Sequence, residues 1–119
     1  MNATQLAQSV FKAIDAMKPE EFGEYLTGDC RFAFGNWPSA EGRAATIGTV
    51  ANFFSGINGI SHEIQQVWES GDTVIVKLGV TYHRKDGKVI TLPCANIWKM
   101  DRDRISDYQI YMDVNPVLA

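Results

Sequence analysis

Cysteine, proline and long apolar runs are scarce in this sequence, and basic residues form no cluster. Its two cysteines, Cys30 and Cys94, lie far apart without a second ligand nearby, so we expect buried free thiols and no disulfide or metal site. No apolar run approaches the ~20 residues that a membrane span requires. A net charge of −3 with scattered Lys and Arg argues against nucleic acid. We therefore expect no membrane or nucleic-acid partner, no metal and no cofactor.

The composition is that of a folded globular domain. Hydrophobic residues make up 45% of the 119 residues and charged residues 21%, a balance found neither in disordered nor in fibrous chains. At this length we expect one domain spanning residues 1–119. The amino terminus lacks a basic region followed by an apolar core, so no secretion signal is visible and a cytoplasmic location is the expectation.

The first half of the chain has helical periodicity. Apolar residues recur at helical spacing from about Thr4 to Met17, which predicts an amphipathic helix. A second helix is predicted to begin at Pro19 and to run to Leu26. A third begins at Arg43 and ends before the breaker run at residues 55–59. Between the second and third helices we expect a short strand at residues 30–34 and a loop around Trp37.

The second half of the chain alternates between apolar and polar residues, which is typical of strands. Turn signals separate four predicted strands, namely Ile60 to Glu69, Thr73 to Arg84, Val89 to Met100 and Ile105 to Asp113. Helices followed by an antiparallel sheet define the α+β class.

The most specific signal lies between Ile90 and Asp113. Leu92-Pro93 is followed by Asn96-Ile97-Trp98-Lys99-Met100 and then by Ile105 and Tyr111-Met112-Asp113. Together with the three helices and the Phe-containing strand, this pattern resembles the SnoaL-like branch of the nuclear transport factor two-like proteins, which includes polyketide cyclases, ketosteroid isomerase and limonene epoxide hydrolase. The resemblance covers essentially the whole chain. It implies a curved sheet wrapped by the three helices into a cone, a cystatin-like α+β barrel, with an apolar cavity at its open end.

The catalytic residues of the epoxide hydrolase do not transfer to this chain. By motif, its aspartate, arginine, second aspartate, tyrosine and asparagine fall on Ile110, Lys77, Gly79, Phe32 and Phe34. Lys77 keeps a cation, but Ile110 and Gly79 cannot activate water or protonate an epoxide oxygen. The resemblance therefore implies the fold of that enzyme without its mechanism.

The isomerase site is retained at one position only. By resemblance, its tyrosine falls on Val10, its carboxylate base falls in the strand Arg31 to Phe34, and its aspartate falls on Asn96. An asparagine amide can donate a hydrogen bond to a developing oxyanion. A buried amide without a partner costs ~1–3 kcal/mol, so Asn96 is expected to bond either a protein group or a ligand.

The candidate catalytic residues are Asn96, Tyr108 and His83. Strand alternation places Tyr108 on the face that the resemblance directs into the cavity, where its hydroxyl contacts either a ligand or a core carbonyl. His83 is either a base or a solvated surface histidine, and His62 is interpreted as a surface residue. Asp113 lies on the opposite face from Tyr108, so it is interpreted as a terminal-strand or interface residue. The candidate ligand-binding residues are Phe32, Phe34, Trp37, Lys77, Trp98, Ile110 and Met112.

Two signals conflict about the long strand. The hydrophobic pattern places the face from Val74 to Tyr82 in the core, whereas the register implied by the resemblance directs Lys77, Gly79 and Thr81 toward the cavity. A homodimer formed through the sheet by the Val74 face would reconcile the two.

Three functions fit the sequence. The first is an isomerase-, cyclase- or hydratase-type enzyme that acts on a small hydrophobic molecule through Asn96 and Tyr108. The second is a dimer that binds such a molecule without catalysis, because the acids and bases of the two enzymes are missing. The third is a protein-binding module, which would need an exposed apolar patch at the mouth of the cone.

Overall fold

The first helix, α1, shows how local sequence sets an element boundary. In the computed structural model, which describes residues 1–119, α1 spans Ala3–Asp15. Asn2 caps it, because Asn2 Oδ1 accepts from Gln5 N at 2.8 Å and Gln5 Oε1 accepts from Asn2 N at 3.0 Å. This reciprocal pair is a capping box. Met17, with φ of 56°, lies beyond the end of the helix rather than within it.

The second helix, α2, is shorter than its periodicity predicts. It spans Pro19–Gly23 rather than reaching Leu26. Gly23 lies against the third helix, and a Cβ there would lie 2.6 Å from a side-chain carbon of Ile47. A larger residue would therefore displace the Ile47 side chain where α2 packs on α3, Arg43–Phe54. The chain enters the sheet directly afterwards.

A six-stranded curved sheet forms the other layer, and it confirms the predicted α+β class. The strands are β1 Leu26–Phe34, β2 Ala40–Glu41, β3 Ile57–Ser70, β4 Thr73–Arg84, β5 Val89–Asp101 and β6 Arg104–Tyr111. Their order is β2-β1-β6-β5-β4-β3. All pairs are antiparallel except β1 and β6, which are parallel. The predicted strand boundaries hold for β4 and shift by up to four residues elsewhere, and β2 was not predicted.

The chain ends in a short helix that the sequence did not predict. This helix, α4, spans Asn115–Leu118. Asp113 lies outside the sheet, and its Oδ1 accepts a hydrogen bond from Asn115 N at 3.0 Å. Arg84 Nη1 donates to Pro116 O at 3.2 Å, which ties α4 to the end of β4. Asp113 therefore shapes the carboxyl-terminal turn.

The structure resolves the conflict over β4 in favour of the hydrophobic pattern. Val74, Val76, Leu78, Val80 and Tyr82 are all buried in the core of the chain. The register agrees, because Val76 lies directly opposite the buried Asn96, and directly opposed residues share a face. The register implied by the resemblance was wrong by one residue. Because this face is buried within the single chain, it is not a surface that a second copy could contact.

Candidate functional site

A cavity of about 380 Å³ lies between the helices and the concave face of the sheet. Its volume is at the lower end of the range for small-molecule sites, roughly 300–1,000 Å³. Seventeen of its 22 lining residues are hydrophobic. The Phe, Trp and Tyr residues of the lining are Phe22, Phe32, Phe34, Trp37, Phe53, Phe54, Tyr82 and Tyr108. Such a surface favours a small, flat, apolar molecule.

The mouth of the cavity is formed by three segments. Trp37, 38% exposed, stacks on Phe34 with ring centroids 5.2 Å apart. Helix α3 contributes Thr49 and Asn52, and α4 contributes Leu118. The loop that carries Trp37 turns at Gly35, whose φ of 58° favours glycine. Trp37 is therefore a partly exposed member of the cavity lining.

Asn96 places an uncompensated polar group in this apolar wall. It lies in the middle of β5, is 2% exposed and lines the cavity. Its Oδ1 is buried and makes no hydrogen bond within the protein. A buried group in this state costs about 1–3 kcal/mol relative to one with a partner. Asn96 was expected to bond either a protein group or a ligand, and Oδ1 has no partner within the protein.

A second polar group of the cavity is the His62 side chain, which lies where α1 crosses β3 and was not recognised in the sequence. Asp15 ends α1, and its carboxylate accepts from His62 N at 3.0 Å and contacts His62 Nδ1 at 2.5 Å. The His62 ring stacks on Phe11 at a centroid distance of 4.6 Å. The side chain is 8% exposed and lines the cavity. The interpretation of His62 as a surface residue is therefore wrong.

The alternation of β3 contained a signal for His62. Ile60, His62 and Ile64 have the same parity, so a histidine stands between two residues that face the core. Nothing local pairs it with Asp15, which is 47 residues earlier. Only the packing of α1 on β3 brings these two side chains together.

Three weakly acidic side chains line the cavity and are held neutral. Burial raises the pKa of Cys94 to about 12, and burial, followed by the neighbouring Cys94, raises the pKa of Tyr82. The pKa of Tyr108 is raised well above its usual value, mainly by burial and then by Cys94. The Tyr82 hydroxyl donates to Met112 Sδ at 3.4 Å. These groups therefore act at neutral pH as uncharged hydrogen-bonding groups.

The structure divides the predicted site residues into two groups. The residues that line the cavity are Phe32, Phe34, Trp37, Asn96, Tyr108, Ile110 and Met112. Three others do not, which corrects their predicted positions. His83 and Lys77 are exposed on the convex face of β4, because alternation turns them away from the core. Trp98 is fully buried beneath the cavity, between Phe11 and Tyr108.

The raised pKa values predict a loss of stability at alkaline pH. Cys94 ionises near its usual pKa of 9.0 in the unfolded chain and near about 12 in the folded one. The unfolded state therefore loses protons first as the pH rises. We expect the urea midpoint to be constant up to about pH 9 and then to fall toward pH 12, with a smaller fall in Cys94→Ala. A midpoint unchanged from pH 8 to pH 11 would contradict this.

Comparison with solved structures identifies the fold. A Catenulispora acidiphila protein with a ketosteroid isomerase-like fold, solved with trimethylamine, aligns with a TM-score of 0.87 and 19% identity over 95% of this chain and 88% of that one. A Burkholderia pseudomallei protein of unknown function, described as nuclear transport factor two-like, aligns with a TM-score of 0.88 and 15% identity over 100% of this chain and 99% of that one. An epoxide hydrolase from M. tuberculosis, described as LEH-like, aligns with a TM-score of 0.81 and 14% identity over 98% of this chain and 86% of that one. At these identities the similarity establishes the nuclear transport factor two-like fold alone.

The family follows from the sequence model. The model of the SnoaL-like domain matches residues 7–108, so this chain belongs to the SnoaL-like domain family. The resemblance inferred from the segment between Ile90 and Asp113 is thereby confirmed. No curated protein matches the chain with significant sequence similarity. No helix has both the length and the apolar character needed to cross a bilayer.

Proposed function

We propose that this protein binds a small, uncharged, largely apolar molecule in the cavity and acts on it as an isomerase-, cyclase- or hydratase-type enzyme. The observation that carries the proposal is Asn96, whose Oδ1 is buried without a partner in an apolar wall. A ligand with a hydrogen-bond donor near Asn96, such as the hydroxyl of an enol or an alcohol, would satisfy that oxygen while its remaining surface filled the aromatic part of the cavity.

The lining argues for a neutral ligand. No Lys or Arg side chain lines the cavity, and Lys77, the predicted cation, lies on the convex face. An anionic ligand would therefore lose its hydration without gaining an ion pair. The lining offers uncharged donors and acceptors in Asn96, Tyr82 and Tyr108, with Thr49 and Asn52 at the mouth.

Non-catalytic binding is the second candidate function. It is favoured by the absence of a carboxylate from the cavity wall, since no Asp or Glu side chain is among the lining residues. Both candidates require the cavity to bind a ligand. They differ in whether the bound molecule is converted.

Two tryptophan substitutions in α3 test whether ligands bind in the cavity. Thr49→Trp places a large side chain at the mouth, whereas Ala51→Trp places the same side chain on an exposed position of α3 that does not line the cavity. We expect 2-tetralone, a neutral bicyclic ketone, to perturb the Asn96 side-chain amide signals in the NMR spectrum. Thr49→Trp should weaken this binding at least about tenfold, the equivalent of about 1.4 kcal/mol, and Ala51→Trp should leave it unchanged.

Native mass spectrometry of the freshly purified protein provides an independent measurement. A co-purified apolar compound that is absent from Thr49→Trp and present in Ala51→Trp would support the proposal. Equal binding of 2-tetralone by both variants would place the ligand outside the cavity and contradict it.

We also propose that two copies associate through the convex face of the sheet. Trp68, Ile75 and Ile97 lie in directly opposed positions on β3, β4 and β5 and form one apolar row across that face. Trp68 and Ile97 are exposed in the single chain. A two-fold axis through this row would bury the same patch on both copies.

A further inference from the structure

We propose that His62, oriented by Asp15, is the acid–base catalyst of the cavity, and that the reaction is a proton transfer on a carbon next to the carbonyl of a neutral ketone. The inference rests on the proposed function, because the substrate must first occupy the cavity. It assigns the proton-transfer step to the junction of α1 and β3 rather than to Asn96, Tyr108 or His83.

The contacts of Asp15 determine the orientation of the imidazole. One carboxylate oxygen accepts from the backbone N of His62 at 3.0 Å and the other contacts Nδ1 at 2.5 Å. Two contacts from one carboxylate hold both the backbone and the ring. Because a carboxylate only accepts hydrogen bonds, Nδ1 carries a proton, and in the neutral imidazole the free lone pair then lies on Nε2. The hydrogen bonds of His62 recorded here are both to Asp15, one from its backbone N and one at Nδ1.

The position of the ring suits it for chemistry inside the cavity. Phe11 stacks on one face of the ring with centroids 4.6 Å apart, which restricts the orientations open to the ring. The side chain is nearly buried and belongs to the cavity lining. A base that is oriented by a carboxylate and shielded from bulk water has the arrangement that general acid–base catalysis requires.

The proposed step balances without a cofactor. His62 Nε2 takes a proton from the carbon adjacent to the carbonyl, and the electron pair of that C–H bond moves to form the enolate. The Asp15 carboxylate stabilises the resulting imidazolium. The Asn96 amide, which has two N–H donors, is the group available to hold the enolate oxygen. The imidazolium then returns the proton to the same carbon or to a conjugated carbon, and the second outcome is an isomerisation.

Exchange of deuterium into 2-tetralone measures this step directly. In D₂O, the wild-type protein should accelerate loss of the C1 proton signals above the buffer rate. His62→Gln should reduce that acceleration by about 10²-fold or more, the usual contribution of a general base, with binding of 2-tetralone retained. His83→Gln changes the other histidine, which is exposed on the convex face, and should leave the rate unchanged.

Asp15 is a positioning residue, so its test needs a spectroscopic signature. The ¹⁵N shifts of the His62 ring in the wild-type protein should show the tautomer with the proton on Nδ1. Asp15→Asn should shift the ring toward the Nε2–H tautomer and reduce exchange by about tenfold, while thermal unfolding shows that the fold persists. If the contact between Asp15 and His62 only held α1 on β3, Asp15→Asn would change the stability of the protein. It would not change the His62 tautomer and the exchange rate together.

The outcomes separate this inference from the function on which it rests. If wild type and His62→Gln both bound 2-tetralone and exchanged its protons at equal rates, the catalytic role of His62 and Asp15 would be refuted. The proposal that the cavity binds a ligand would still stand. Absence of binding would overturn both. The tautomer is measured on the wild-type protein, so this test does not depend on a variant that folds. A proton on Nε2 rather than on Nδ1 would by itself refute the catalytic role of His62 and Asp15.

Discussion

Trp98→Ala is expected to lower the free energy of unfolding by about 3–5 kcal/mol, the range for removal of a large aromatic side chain from a core. Trp98 is fully buried. Its ring lies 5.7 Å from that of Phe11 and 5.1 Å from that of Tyr108, so one side chain joins α1 to β5 and β6. The variant would lose the contact that Trp98 makes between α1 and the sheet, and urea unfolding followed by circular dichroism measures the loss.

Trp37→Ala is the matched control, because it removes the same side chain from the mouth of the cavity. Trp37 is partly exposed and its aromatic stacking partner is Phe34. We expect a loss of only about 1 kcal/mol, near the centre of the distribution for single substitutions. Equal losses for the two variants would contradict the assignment of Trp98 as the centre of the core.

Ile97→Glu is expected to convert the proposed dimer to a monomer. Ile97 is 37% exposed in the single chain, so the change should cost the fold little. In the dimer the same carboxylate would be buried without a partner, a cost of several kcal/mol. We therefore expect the dissociation constant to rise about 100-fold or more, as measured by sedimentation velocity at several protein concentrations.

Lys88→Glu provides a control with a larger change in charge. Lys88 is exposed in the β4–β5 hairpin loop, away from the apolar row of Trp68, Ile75 and Ile97. Its substitution should leave the sedimentation coefficient unchanged. A wild-type protein that sediments as a monomer at every concentration would refute association through this face.

The fold was predictable because its signals are local and repeated. The helical period of α1, the alternation of β4 and the segment between Ile90 and Asp113 each agree with one architecture. The aromatic lining was predictable for the same reason, since Phe32 and Phe34 follow strand alternation. Boundaries were less accurate at α2, which ends at Gly23 although its periodicity continues to Leu26.

The site was less predictable because it depends on register and on distant pairs. A register carried over from related enzymes directed Lys77 into the cavity, whereas the alternation within β4 directed it outward. The structure agrees with the alternation. In this chain the apolar pattern was the better guide, since a shift of one residue would have buried a lysine and exposed a row of valines.

The sequence by itself determined the α+β class, the family, the buried face of β4 and the position of Asn96 in an apolar strand, because each follows from periodicity or from a contiguous motif. Only the tertiary structure decided that Asn96 Oδ1 has no protein partner, that β1 runs parallel to β6, and that Asp15 contacts His62. The physical reason is that a carboxylate at a helix end and an imidazole in a strand interact over a few ångströms. That distance depends on how α1 packs across β3, and no spacing within the chain encodes it locally.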